Sequence, residues 1–199
     1  TGCLFSYGFQ SLLMPLFVKL GGVLLLIFLS AAQTDAQDTL EKGIQLFQDG
    51  KPTQARRVFE LLLEQQAANP TVAFYLGRIA FDEQDHERAI GWFEKSLDTG
   101  QCQAEYYVWL GRAYGYYTQQ ANVFRQPFLA KKVQKHFERA VSCDPNHVAA
   151  RWDLMEYYLR APGFLGGSTK KAKEQATAIQ QRDPPEGQKA WALVAELDK

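Results

Sequence analysis

Apolar residues recur along most of the chain at the spacing of one helix face. The clearest stripes are Phe74, Ile79 and Phe81, and then Ile90, Phe93 and Leu97. Charged residues stand between them, which gives the 3.6-residue periodicity of amphipathic α-helices. The alternation typical of β-strands is almost absent. The pattern therefore predicts an all-α fold.

Turn residues and prolines mark where the helices begin and end. Pro52 follows the pair Asp49 and Gly50, and proline is tolerated in the first turn of a helix. Later breaks fall at Asn69-Pro70, Asp144-Pro145 and Asp183-Pro184. After the last break, residues 186–198 carry Ala190, Val194 and Leu197 on one stripe, which predicts a final helix that covers the end of the core.

The helical pattern repeats with a period of 34 residues. Gly43, Gly77 and Gly111 are spaced by that period, as are Ala55 and Ala89, and Phe59 and Phe93. A third unit continues with Tyr114, Val133, Phe137 and Ala140, and a weaker fourth unit contains Met155, Tyr158, Ala172, Ala176 and Ile179. We expect the glycines of the first helices to face Ala89 and Val133 on the second helices, where the two must approach closely.

This spacing resembles the tetratricopeptide repeat, with its pattern W-x-x-L-G-x-x-Y, A-x-x-x-F and P. The resemblance covers about residues 38–185. It implies a right-handed solenoid of about four helix-turn-helix repeats and a C-terminal capping helix. The expected repeats are 38–69, 70–102, 103–145 and 146–185, the cap is 186–198, and the whole domain is 37–199.

Two insertions interrupt the period. The third unit has ten extra residues within Gly115 to Phe128, and the fourth has five extra around Ala161 to Ser168, with the sequence APGFLGGS. Glycines followed by Ser168, Lys170 and Lys171 suggest a phosphate loop, but no strand precedes them and the G-x-x-x-x-G-K-[ST] order is missing. A glycine turn with Ser168 as helix N-cap is the favoured interpretation.

The second insertion and the residues around it also resemble a group of exported bacterial tetratricopeptide proteins. A more distant similarity is to the helical domain of animal regulator of microtubule dynamics proteins. These resemblances support the fold and imply little about function.

Charge divides the chain. The 22 basic and 22 acidic residues give a net charge of zero, but residues 1–34 contain only Lys19. Lys19, the apolar run 20–29 and the small residues after it predict a signal peptide over 1–36, with translation starting at Met14 and cleavage after Ala32 or Ala36. The alternative is an uncleaved N-terminal membrane anchor.

Composition excludes several functional classes. Zero net charge argues against nucleic-acid binding, and we expect no cofactor, metal site or catalytic site. Cys102 and Cys143 could pair in an exported protein, or could be unpaired. His86, His136 and His147 lack the H-E-x-x-H spacing of zinc enzymes.

The glycine positions also predict a partner-binding groove. In tetratricopeptide arrays the first helices line the concave surface. The position directly after each glycine or its substitute, and the position three residues before the glycine, predict its contact residues. These are Phe74, Arg78, Val108, Arg112, Tyr116, Trp152 and Glu156, with Tyr117, Phe124 and Arg125 as contacts from the insertion. Arg78 and Arg112 could hold an anionic group, or could pair internally with Asp82, Glu105 or Glu156.

The sequence thus predicts a non-enzymatic, exported interaction or scaffold protein, periplasmic or secreted, that binds a protein or peptide in this groove. One alternative is an assembly subunit held in the inner membrane by the uncleaved N-terminal helix. Another is a glycan or small-molecule binder that uses the aromatic insertion.

Overall fold

The computed structural model describes residues 36–65, 69–98, 100 and 102–198, and these contain helices and no β-strand. The first helix, α1, covers 36–48. It is followed by α2 (Pro52–Gln65), α3 (Pro70–Asp82), α4 (His86–Leu97), α5 (Ala104–Gln120), α6 (Gln126–Cys143), α7 (Val148–Arg160), a 3-10 turn (Gly163–Leu165), α8 (Thr169–Arg182) and α9 (Pro184–Leu197). The predicted all-α fold is confirmed. The predicted signal peptide lies outside the described residues, apart from residue 36.

The chain divides into two units between Val58 and Phe59, inside α2. In the described part of the first unit, α1 ends in a tight turn. The amides of Asp49 and Lys51 donate to the carbonyl oxygens of Gln45 and Leu46, each at 2.9 Å. Gly50 has a φ of 72°, a left-handed conformation that favours glycine. Pro52 begins α2, as the sequence predicts.

The second unit is a stack of helix pairs. Each helix from α3 to α8 packs against the next helix along the chain. The helices α3, α5, α7 and α9 also contact one another in that order, so the first helices of successive pairs line up side by side. None of the helices in the described ranges is long and apolar enough to cross a lipid bilayer.

Polar caps fix the helix boundaries. The Asn69 side chain accepts hydrogen bonds from the amides of Thr71 and Val72, with Pro70 in the first turn of α3. Asp183 ends α8 and caps α9, so α9 begins at Pro184, two residues before the predicted capping helix. The Ser168 side chain accepts from the amide of Lys171 at 3.3 Å, which confirms its predicted role as N-cap of α8.

The glycines of the first helices lie against phenylalanine rings. A Cβ placed on Gly77 would come within 2.6 Å of the Phe93 ring, and one on Gly111 would overlap the Phe137 ring. The atoms nearest to these glycines therefore belong to Phe93 and Phe137, which stand four residues after Ala89 and Val133 on the second helices. The ring four residues further along the second helix occupies the space, because its size fills the gap that the missing Cβ leaves.

A repeated hydrogen bond ties successive pairs together. The Tyr114 hydroxyl donates to Glu94 at 2.6 Å, and the Tyr158 hydroxyl donates to Glu138 at 2.8 Å. In both cases the glutamate directly follows the second-helix phenylalanine. Burial and the neighbouring carboxylate raise the pKa of both tyrosines. The tyrosines are therefore linked to the preceding pair, in addition to packing in the core.

The first insertion lengthens two helices. α3 ends five residues after Gly77, whereas α5 continues to nine residues after Gly111. α6 begins eleven residues before Phe137, whereas α4 begins seven before Phe93. The remaining two extra residues lie in the connecting loop, 121–125. The insertion thus extends the α5–α6 hairpin and keeps the register of the helix pair.

Cys102 and Cys143 form a disulfide, with their Cα atoms 5.3 Å apart. Cys102 lies just before α5 and Cys143 is the last residue of α6. The bond therefore joins the two ends of the lengthened hairpin at the side opposite its tip.

His136 on α6 is a half-buried titratable group in this hairpin. Its ring stacks on Tyr114, with ring centroids 5.4 Å apart, and its Nδ1 is buried without a hydrogen-bond partner. Burial lowers its pKa to about 4, and the nearby Lys135 acts in the same direction.

Gly77→Ala is expected to destabilise the fold by about 1–3 kcal/mol, because the fully buried Phe93 ring cannot move away from the new methyl group. Gly91→Ala, in α4, is the matched control. A Cβ there meets nothing within 4 Å, so it should stabilise by up to about 1 kcal/mol through helix propensity. Urea unfolding of the two variants measures both effects, and equal effects would contradict the contact.

Reduction of Cys102–Cys143 is expected to lower the free energy of unfolding by about 4 kcal/mol, because the bond closes a loop with a sequence separation of 41 residues. Unfolding with and without reductant measures the loss. Cys102→Ala/Cys143→Ala should match the reduced protein and show no response to reductant. Both thiols titrating in the denatured, unreduced protein would contradict the bond.

His136 is expected to make the fold acid-sensitive. Because its folded pKa lies below that of the unfolded chain, its contribution is present above about pH 6.5 and is lost as the pH falls through about 4. We expect the group to account for about 2 kcal/mol of the loss by pH 4. His136→Phe keeps the ring stack without the charge, so its unfolding free energy should fall less between pH 6.5 and 4. Parallel pH profiles would contradict this.

Candidate partner-binding groove and pocket

Two arginines from successive first helices lie against one tryptophan. The guanidinium carbon of Arg78 on α3 is 3.5 Å from the Trp109 ring centroid, and that of Arg112 on α5 is 4.8 Å away. The indole Nε1 donates to Glu105 Oε1 at 2.6 Å, which fixes the ring. Burial lowers the pKa of Arg78, while the carboxylates of Asp82 and Glu105 act in the opposite direction. Cation–π contacts of this kind hold both arginines in place.

Arg112 also forms an ion pair with Asp153 on α7. Its Nε donates to Oδ2 at 2.7 Å and its Nη2 to Oδ1 at 3.4 Å. Burial raises the pKa of Asp153, and Arg112 opposes that shift. Internal pairing was one of the two sequence-based interpretations of Arg112, but the partner is not among the residues expected for it.

The two arginine contacts follow one rule. Each arginine directly follows the glycine of its own repeat. Its partner lies in the next repeat, two residues before the residue at the glycine position: Trp109 before Gly111, and Asp153 before Met155. We call Arg78, Trp109, Arg112 and Asp153 the groove ladder. It links the first helices α3, α5 and α7 along the groove.

The groove prediction is wrong for Phe74 and Val108. Phe74 is 5% exposed and its ring stacks on Tyr106 with centroids 4.4 Å apart, so the next first helix covers it. Val108 is 0% exposed and clusters with Ala140 and Ala150. The position three residues before the glycine points toward the following helix pair, and it offers these side chains no surface for a partner.

The other predicted groove residues keep part of their surface. Tyr116 is exposed and stacks on His86, with ring centroids 5.2 Å apart. Trp152 is half-buried, and its Nε1 donates to Glu186 Oε2 at 3.1 Å. Glu156 accepts from Arg160 Nε at 2.7 Å.

Beside the groove ladder lies an open cavity of about 600 Å³. Four parts of the chain line it: α5, α6, α7 and the second insertion. The lining residues are Arg112, Gly115, Tyr116, Thr118, Gln119, Ala130, Val133, Phe137, Asp153, Glu156, Tyr157, Arg160, Ala161, Pro162 and Leu165. Its surface is mostly apolar, with the ion pairs Arg112–Asp153 and Arg160–Glu156 on its wall. We call it the insertion pocket, because the extended part of α5 and the 161–165 loop both contribute to it.

The second insertion is held over this pocket by specific contacts. The Tyr157 hydroxyl donates to the carbonyl oxygen of Leu165 at 2.6 Å. Gly167 lies so close to the Ala161 carbonyl that a Cβ would overlap it, and Gly166 has a φ of 97°. The loop therefore requires glycine at both positions, and it presents Leu165 to the pocket.

The residues of the first insertion that were predicted to contact a partner differ in burial. Tyr117 is half-buried against the core. Phe124 is 84% exposed in the loop, and the exposed Arg125 ends it, its amide donating to the Asn122 side chain at 3.1 Å. Phe124 and Arg125 thus lie at the tip of the hairpin, away from the groove ladder in sequence.

Sequence reasoning missed Trp109, Asp153, Tyr157 and Arg160 as site residues. Trp109 and Asp153 occupy the same position in their repeats, two residues before the glycine position. Alignment of the repeats at that position could have shown that both are groove residues. Within the described part of the chain, His, Cys, Asp and Glu form no group of three or more that could hold a metal ion.

A family model described as tetratricopeptide repeat matches residues 40–102. No curated protein matches the chain. TTC0263, a tetratricopeptide-repeat protein of Thermus thermophilus, shares the fold with a TM-score of 0.63 and 20% identity, over 80% of each chain.

Two further structures are similar. YrrB, described as a tetratricopeptide-repeat protein with an unusual peptide-binding site, has a TM-score of 0.58 and 20% identity over 73% of this chain and 68% of its own. MamA from Desulfovibrio magneticus RS-1 has a TM-score of 0.59 and 19% identity over 75% of this chain and 76% of its own.

Tetratricopeptide repeats serve as protein–protein interaction or scaffold modules and are generally not enzymes. Residues 40–102 thus match the tetratricopeptide-repeat model, and the described helix pairs share the fold of solved tetratricopeptide-repeat structures.

Proposed function

We propose that the protein binds a peptide segment of another protein through its groove, with an apolar side chain of that segment in the insertion pocket. The observation that carries this proposal is the position of the pocket, beside the first helices α5 and α7 and at the meeting point of both insertions. Concave, mostly apolar sites with a few placed polar groups are typical of ligand binding.

The charges around the pocket favour a neutral apolar group over an acid. Arg112 is already paired with Asp153, and Arg160 with Glu156. A partner carboxylate at Arg112 would come close to Asp153, whose side chain is only 17% exposed and whose charge Arg112 already balances. Repulsion between the two carboxylates opposes such a contact, whereas an apolar group meets no opposing charge.

We further propose that the protein acts after export. The disulfide between Cys102 and Cys143 supports this, because such bonds persist in oxidising compartments. The predicted signal peptide also favours a periplasmic or secreted protein. Retention by an uncleaved N-terminal anchor in the inner membrane is the alternative placement, and N-terminal sequencing of the mature protein distinguishes the two.

A small-molecule or glycan ligand is the second candidate. The pocket volume of about 600 Å³ lies within the range of small-molecule sites, and the exposed Tyr116 ring stands on its wall. Such a ligand would raise the thermal stability of the protein in a concentration-dependent way.

Gly115→Leu is expected to weaken peptide binding at least about tenfold, because the new side chain enters the pocket at a position where a Cβ meets nothing within 4 Å. Peptides selected from a displayed library on the wild-type chain supply the ligands, and titration of each against the variants gives the affinities. Gly91→Leu is the matched control, since it places the same side chain at an open helical glycine that does not line the pocket.

The two variants separate the outcomes. Loss of binding in Gly115→Leu alone supports the pocket. Equal binding by both variants would remove the pocket from the proposal. Thermal stabilisation by a glycan or small molecule that Gly115→Leu abolishes, with no peptide selected, would favour the second candidate.

A further inference from the structure

The tip of the α5–α6 hairpin presents an apolar surface to solvent. Val123, Phe124 and Phe128 are 67%, 84% and 75% exposed. Exposed clusters of large apolar side chains mark contact surfaces for proteins or membranes. Neither the groove ladder nor the insertion pocket uses these side chains.

The tip protrudes. α3 and α7 both end five residues after the glycine column, at Gly77 and its counterpart Met155, whereas α5 ends nine residues after Gly111. Four further residues lengthen a helix by about 6 Å. A convex apolar tip has no walls to enclose a peptide, but it can enter a planar interface.

Basic charge surrounds the tip on the α6 side. Residues 106–137 contain no Asp or Glu and five basic residues. Lys131 and Lys135 lie three and seven residues after Phe128, so one exposed stripe carries the ring and both lysines. Along the helix axis the lysines stand about 5 and 10 Å behind the ring. This arrangement places cations at headgroup level when the rings enter the acyl boundary.

The second insertion adds a further exposed aromatic side chain and a stretch without acidic residues next to α6. Its 3-10 turn packs against α6, Phe164 is 80% exposed, and residues 157–173 contain no acidic residue. Acidic charge stands on the α5 side instead, where Asp85 and Glu87 flank His86, whose Nδ1 is 3.2 Å from the Gln120 amide. The α6 side is therefore the one that complements an anionic surface.

We propose that this hairpin tip docks on the surface of an anionic lipid bilayer, with Phe124 and Phe128 entering the interface and Lys131 and Lys135 contacting the headgroups. The proposal does not depend on the peptide-binding function, since it uses different residues.

A fluorescent reporter at the tip tests this on the full chain. The Phe124→Trp variant is mixed with vesicles of equal parts phosphatidylcholine and phosphatidylglycerol, and with vesicles of phosphatidylcholine alone. Its emission is recorded as a difference from the wild-type chain, which contains four other tryptophans. We expect a blue shift and quenching by brominated lipid with the anionic vesicles only.

Leu61→Trp, at a site 56% exposed on α2, is the matched control and should not respond to either kind of vesicle. The local readout reports the tip even where the N-terminal segment also binds lipid.

Charge and apolar variants in the Phe124→Trp background identify the contacts. Phe128→Ala should reduce partitioning at least about tenfold. Lys131→Gln/Lys135→Gln should reduce it about fivefold for each lysine removed, whereas Arg88→Gln/Lys95→Gln on α4 should leave it unchanged. Thermal unfolding of each variant checks that the fold is intact. We expect unchanged unfolding temperatures, because the substituted side chains are exposed.

An emission spectrum of the Phe124→Trp variant that does not change with anionic vesicles would overturn the proposal. A shift with an acidic amphipathic peptide but not with vesicles would also overturn it, and would assign the tip to a protein partner. Equal response to neutral and anionic vesicles would remove the lysines from the mechanism and contradict the stated charge recognition.

Discussion

The contact between a first-helix glycine and a second-helix phenylalanine sets the geometry on which the rest of the described array depends. Phe93 over Gly77 and Phe137 over Gly111 hold the two helices of a pair at a distance that no larger residue permits. The fourth unit reverses the sizes. Met155 replaces the glycine, Ala176 replaces the phenylalanine, and both are fully buried. Exchange of a large and a small residue across an interface conserves volume, so the change of sequence is compatible with the same packing of the pair.

The first helices lie in a constant register, as the contacts of the groove ladder show. The same offset brings Arg78 to Trp109 and Arg112 to Asp153, although the second pair is separated by ten more residues of sequence. The insertion does not disturb this register, since its residues extend α5 and α6 beyond the repeated contact. The insertion changes only the part of the hairpin beyond the repeated core. There it forms part of the wall of the insertion pocket and the exposed tip of the α5–α6 hairpin.

Periodicity is enough to predict the helices, the caps and the buried phenylalanines, because each depends on residues close in sequence or on a repeated spacing. Periodicity does not show whether a side chain on a first helix stays exposed or is covered by the next helix pair. Phe74 and Val108 lie on first helices, as expected for groove residues, but the following pair covers them. Asp153 and Leu165 were missed for a related reason: their roles depend on a partner in another unit and on a loop whose path two glycines determine.

The ion pairs in the groove also limit what a partner can offer. Burial raises the pKa of Asp153, and Arg112 is the cation that opposes this shift. A partner acid at Arg112 would place a second negative charge beside Asp153, so repulsion between the two carboxylates opposes that contact. An apolar group in the insertion pocket meets no such repulsion, because it covers apolar wall while both ion pairs stay formed. In the proposed binding mode, specificity therefore depends on the shape of the insertion pocket, because Arg112 in the groove ladder is already paired with Asp153.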